Sequence, residues 1–204
     1  MAILAGALTV RRFRVDGEVP EGFRDTYRDQ LQAMAFAEPP VVGKEEVEGW
    51  VQVHNLLDGD FDDFNRWLYG HYALFALRID KRTLPAKLFK ATLAKKCQAW
   101  CEENGAERCP RTVKDQLRDD LETLWLKRVL PRVTVAEAAW NLNDGTLVLA
   151  STSERIVDRF RGRFHRTFGL QLLPWSPLDF IQDDTTRDSL IASSPAVLGM
   201  GGAL

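Results

Sequence analysis

The run Asn143-Asp144-Gly145 constrains the fold more than any other short stretch of this chain. Asn, Asp and Gly all tolerate positive φ, so the run reads as the turn of a hairpin. It is flanked by VTVAEAAWNL (133–142) and TLVLAS (146–151), two strand-forming runs that a turn makes antiparallel neighbours. Ser151 and Glu154 then form an S-x-x-E capping box that starts a helix. Gly169 ends that helix, and LQLLPW (170–175) is a last short strand.

The upstream chain follows the same logic. Residues 2–15 read as a strand through Val10, Phe13 and Val15. Pro20 opens a helix whose Phe23, Tyr27, Leu31 and Met34 recur at helical spacing. EVEGWVQVH (46–54) is a strand with Val47, Val51 and Val53 on one side, and residues 66–80 are two strands around Gly70. The middle is helical. Pro85 stands near the start of a helix that runs to about Glu103 and ends at Asn104-Gly105. A loop with Pro110 leads to a second helix, about Thr112 to Val129, with Leu117, Leu121 and Leu124 as its stripe and Pro131 as its stop. These two helices form a hairpin over about 85–130 that can project from the body. The expected fold class is α+β, a mainly antiparallel sheet with packed helices and a helical hairpin. Residues 1–181 are expected to be one domain, and 182–204 a flexible C-terminal tail.

Charge is unevenly distributed. The formal net charge is −2, yet residues 78–166 carry 19 Lys and Arg against 12 Asp and Glu. A polyanion senses that local field over roughly 10 Å, so the distribution matters more than the total. The densest segment is Ser153 to Arg166, SERIVDRFRGRFHR, with five arginines. At helical spacing Arg155, Arg159, Arg163 and Arg166 fall within about an 80° arc, beside the apolar arc of Ile156, Val157, Phe160, Phe164 and Phe168. Like charges one turn apart repel, and Glu154 and Asp158 relieve only part of that. Such a row serves either as a solvated face or as a surface for phosphates. Further cations lie on the helical hairpin or beside it: Lys95 on the first helix, and Lys114, Arg118, Lys127, Arg128 and Arg132 on or after the second. Acidic residues are interspersed among them, a mixture that suits i,i+4 pairing as well as diffuse backbone contact with a duplex.

Other chemistry finds less support. Cys97, Cys101 and Cys109 have a spacing that fits no usual zinc pattern, and their odd number points to a reducing compartment. DGDFDDF (58–64) begins like a calcium loop, but the sixth position is Asp63 rather than Gly, so it reads as a solvated acidic loop. No metal, cofactor or catalytic residue is expected. There is no run of about eighteen apolar residues to span a membrane. In MAILAGALTVRRFRV the basic residues follow the apolar part, the reverse of a signal peptide, and a cytoplasmic location is expected.

Several stretches, taken in order over about residues 8–178, resemble the RdgC family of bacterial recombination-associated proteins. They are LQAMAF (31–36), GWV (49–51), the helix-opening Leu84-Pro85, VLPR (129–132) and NDGTLVLASTSERIVDRFRGRF (143–164). The resemblance implies a non-catalytic protein that binds double-stranded DNA without marked sequence preference, forms homodimers that close around the duplex, and restrains the RecA recombinase by occupying DNA. Arg132 of LPR and the basic residues of the flanking helices are the residues it carries over. Relatives continue beyond the point where these residues stop, so an open clamp or a different dimer is expected in place of a full ring. The two positions after LPR, usually a small residue and then an aromatic, are Val133 and Thr134, so a subunit contact there is expected to be weaker. The alternatives are a protein-interaction module that kept the fold without DNA binding, and a metal-dependent nuclease using Asp60 and Asp62.

Overall fold

The structure is a computed structural model that describes residues 3–4, 6–39, 43, 45–181 and 183–193. Its elements in chain order are β1 (Arg11–Asp16), α1 (Phe23–Ala33), β2 (Val47–Val51), β3 (Leu68–Tyr69), β4 (Tyr72–Lys81), α2 (Ala86–Asn104), α3 (Arg111–Leu126), β5 (Arg132–Asn141), β6 (Thr146–Leu149), α4 (Glu154–Phe168), β7 (Gln171–Pro174) and α5 (Asp184–Ala192). Among the described residues, seven strands make one sheet in the order β2-β4-β5-β6-β1-β7, with β3 also on β4. Every pairing between its strands is antiparallel. The fold is therefore α+β.

The hairpin at residues 143–145 forms, with a different turn. Register runs Trp140↔Leu147 and Ala138↔Leu149, which leaves Leu142 to Gly145 as the loop. Only Gly145 takes positive φ (70°), while Asn141 and Asp144 hold the loop through side-chain bonds to Asn143 N (3.0 Å) and Thr146 N (2.8 Å). Side-chain acceptors thus do what a second positive-φ residue would otherwise do. The capping box at Ser151 does not form. Helix α4 starts two residues later, with Ser153 as its N-cap and no side-chain cap bond, so Glu154 is the first helical residue rather than the third; its carboxylate accepts from Arg11 (2.9 Å). The first strand is shorter than residues 2–15, starting at Arg11. Beyond residue 182, where a loose tail was expected, Asp183 caps α5 by accepting from Thr186 N (2.8 Å); residues 194–204 lie outside the described residues.

Helix α4 lies on one face of the sheet through Val157, Phe160, Phe164 and Phe168, all buried. The rings of Trp50 and Trp140 from the sheet and Tyr27 from α1 meet them at centroid distances of 5.1–5.4 Å, and Phe75 of β4 at 5.8–6.5 Å. Trp50 also donates Nε1–H to Thr167 Oγ1 (2.8 Å), so this large ring buries its one polar group satisfied. On the opposite face Phe36 and Leu56 pack over Val51, Val53, Leu74 and Ala76. There Arg78 grips Asp80 with two bonds of 2.7 and 2.8 Å and stacks on Phe36.

The stretches LQAMAF and GWV touch each other. Phe36 N donates to Trp50 O (2.8 Å) and Trp50 N to Met34 O (3.0 Å), a parallel bridge from the end of α1 to β2. A Cβ on Gly49 would stand 2.2 Å from Phe36 Cα, so only glycine permits the crossing. Helices α2 and α3 pack chiefly on each other, joined by Leu93, Leu121 and an edge-on Phe89–Trp125 pair, and form the projecting hairpin.

Candidate nucleic-acid interface

The four arginines on the edge of α4 do not face open solvent alone. The face of α4 that packs on the sheet brings them over β2, where Glu46, just before the strand, and Glu48, within it, hold carboxylates toward them. Arg155 Nη2 stands 2.5 Å from Glu46 Oε1. Arg159 binds Glu46 and also Glu48, the latter at 2.7 Å from Nε. Arg166 reaches Glu48 at 3.1 Å and Arg163 at 3.6 Å. Lys81 of β4 joins from the side, 2.8 Å from Glu46. Sequence reasoning missed Glu46 and Glu48 as members of this site.

The row divides by exposure. The Arg155 and Arg166 side chains are 65% and 58% exposed, while those of Arg159 and Arg163 are 24% and 14% exposed. Arg163 also donates to Met34 O (2.9 Å), tying α4 to the end of α1, and burial pushes its pKa down. Arg163 is thus a strut between elements. Neutralisation is real but incomplete: Lys81, Arg155, Arg159, Arg163 and Arg166 share two carboxylates, leaving an excess of three positive charges. The hydrogen bond from Lys81, then those from Arg155 and Arg159, hold the Glu46 carboxyl down at about 2.

From Lys81 the positive surface continues onto the hairpin. Lys81 and Arg82 line a cavity of about 400 Å³ together with Arg118 and Glu122 of α3. Arg118 lines the next cavity with Lys114, Asp115 and, from α2, Lys90. Arg132 stands opposite Lys81 in the β4–β5 register and is exposed. Lys127 and Arg128 are exposed just past α3, where Arg82 Nε donates to Val129 O (3.3 Å). Among the described residues, none of Lys114, Arg118, Lys127, Arg128 and Arg132 has a carboxylate within ion-pair distance. Lys95 is not brought to this track: it lies about 200° round α2 from Leu93, on the side away from α3.

The acidic loop is spent on turns. Asp58 accepts from Asp60 N, Asp60 from Asp62 N and Asp63 from Asn65 N, each at 2.9–3.0 Å, and Arg66 pairs with Asp58. Among the described residues no group of three or more His, Cys, Asp or Glu is placed to hold a metal ion, and no helix is long and apolar enough to cross a membrane.

Residues 9–187 match the model of the family described as "Putative exonuclease, RdgC". No curated protein matches the chain.

Proposed function

The chain belongs to the RdgC family of recombination-associated proteins, and from that premise we propose that it binds double-stranded DNA independently of sequence, as a homodimer and without catalysing a reaction on it. The observation that carries this reading is the continuity of cations from α4 through Lys81 and Arg82 to Arg118, Lys114 and Lys90. These cations come from separate parts of the chain, which supports the reading, and side chains of this kind reach phosphates without reading a base. A protein so bound occupies duplex and excludes RecA by competition. A metal-dependent nuclease would draw on Asp60 and Asp62; the non-catalytic reading is preferred because the Asp60 carboxylate already accepts from Asp62 N in a turn of its own loop.

The test is duplex binding across a salt series. Affinity is expected to fall steeply, with a slope near −0.9 per phosphate neutralised, and equally for unrelated sequences. Replacing Lys114, Arg118 and Arg132 together by Ala should flatten the slope by up to about 2.7. No shift of duplex at micromolar protein in low salt overturns the reading. So does loss of labelled duplex ends with added magnesium or manganese, which would revive the nuclease. The second reading, a protein-interaction module, is favoured by one specific observation: Glu46 and Glu48 already occupy the arginine row.

A further inference from the structure

The cysteines take no part in the cation track. Cys97 and Cys101 stand one turn apart on the face of α2 that meets α3, and Cys109 follows on the connecting loop. All three line one cavity of about 420 Å³, with Leu93, Lys90 and Lys114 beside them. Each is half-buried, and each is a free thiol. Burial, then interactions with Cys97 and Cys101, raise the Cys109 thiol, in keeping with the cavity the three share. Cys109 Sγ also makes a long contact, 3.7 Å, with Pro110 O.

We propose that Cys97 and Cys109 form a modification site for peroxides, closed by oxidation into an intramolecular disulfide. The Cys97 thiolate attacks one peroxide oxygen; an S–O bond forms, the O–O bond breaks and hydroxide leaves, taking a proton to become water. The Cys109 thiolate then attacks that sulfur; an S–S bond forms, the S–O bond breaks and a second water leaves. Two thiols lose two hydrogens and two electrons, and the peroxide is reduced to two waters. Cys109 is the partner because it sits on a loop that can adjust to disulfide geometry. Cys97 and Cys101 are held on one helix with their Cβ vectors nearly parallel, which disfavours bridging them to each other. Closure pins the α2–α3 connection to α2. The proposal is independent of DNA binding.

The test uses the full chain, reduced and then treated with hydrogen peroxide, read by intact mass and a non-reducing peptide map. The expected result is a loss of about 2 Da, a Cys97–Cys109 cross-link and reversal by dithiothreitol. Cys101→Ser should behave alike, and Cys109→Ser should lose the cross-link to Cys97. A gain of about 16 or 32 Da without a cross-link overturns the proposal. So does a bridge to Cys101 as the main product, a disulfide-linked dimer, or no change in mass.

Discussion

Replacing Glu46 and Glu48 together by Gln should strengthen DNA binding. These carboxylates hold Lys81, Arg155, Arg159, Arg163 and Arg166, and Gln removes their charge while keeping an acceptor for hydrogen bonds. The local excess rises from three positive charges to five. Each cation released to a phosphate steepens the dependence of log K on log salt by about 0.9. Two released cations steepen it by about 1.8, and at 0.1 M monovalent salt tighten binding on the order of tenfold to a hundredfold. Stability moves the other way. With side chains 24% and 14% exposed, Arg159 and Arg163 lose their counter-charges in a half-covered setting, at a cost of about 1–3 kcal/mol. The assay is fluorescence anisotropy of a labelled duplex through a salt series, with a thermal melt to establish that the variant is folded. A folded double variant with unchanged affinity and unchanged slope refutes the reasoning: the arginines then serve only to hold α4 on β2, and the protein-interaction reading gains.

Three further outcomes follow from the geometry. Gly49→Ala should cost about 3 kcal/mol or more in chemical denaturation, because the new Cβ would meet Phe36 Cα at 2.2 Å, and a loss under 1 kcal/mol would mean the α1 end lifts freely from β2. Arg163→Ala should lower the melting temperature well beyond Arg155→Ala, since Arg163 is 14% exposed and bonded to Met34 O while Arg155 is 65% exposed; equal melts would contradict the assignment of Arg163 as a strut. Glu46 is held at about 2, below its ordinary 4.5, so the stability it contributes is complete above that ordinary value and disappears as pH falls through about 2. Wild type should exceed Glu46→Gln by on the order of 1–2 kcal/mol at neutral pH, after screening by water around Arg155 and Lys81, and the two should converge in acid.

The element order was legible because its signals are local. Pro85 and Pro110 stand at the N-caps of α2 and α3, and Gly105 closes α2 at φ 61°. Such punctuation acts within a few residues and needs no partner from elsewhere. The turn at Gly145 was legible in place and not in type, since loop length depends on the register of two strands. The cap of α4 was misplaced by two residues, a boundary that local signals leave open, and the Glu154 carboxylate instead meets Arg11 across 143 residues of sequence.

The neutralised arginine row was hidden by strand parity. Val47, Val51 and Val53 mark one side of β2, which leaves Glu46, Glu48 and Trp50 on the other. That second side looks like a solvent face until one notices that Trp50 is fully buried. A strand covered on both faces defeats an inside/outside reading, because hydrophobicity no longer says which side is wet. Yet the clue was physical and present. Four cations within one arc of a helix repel each other, and the only local counter-charges are too few. A helix that packs on a sheet carries its edge row over a flanking strand, and β2 is an edge strand of this sheet. Carboxylates at alternate positions of an edge strand, separated by one residue and followed by a core tryptophan, are therefore where the missing counter-charge belongs. Glu48 meets Arg159 across 111 residues on that principle. The same geometry is compatible with the proposed DNA binding: two carboxylates shared among five cations steady the helix in the free protein and leave three positive charges unbalanced.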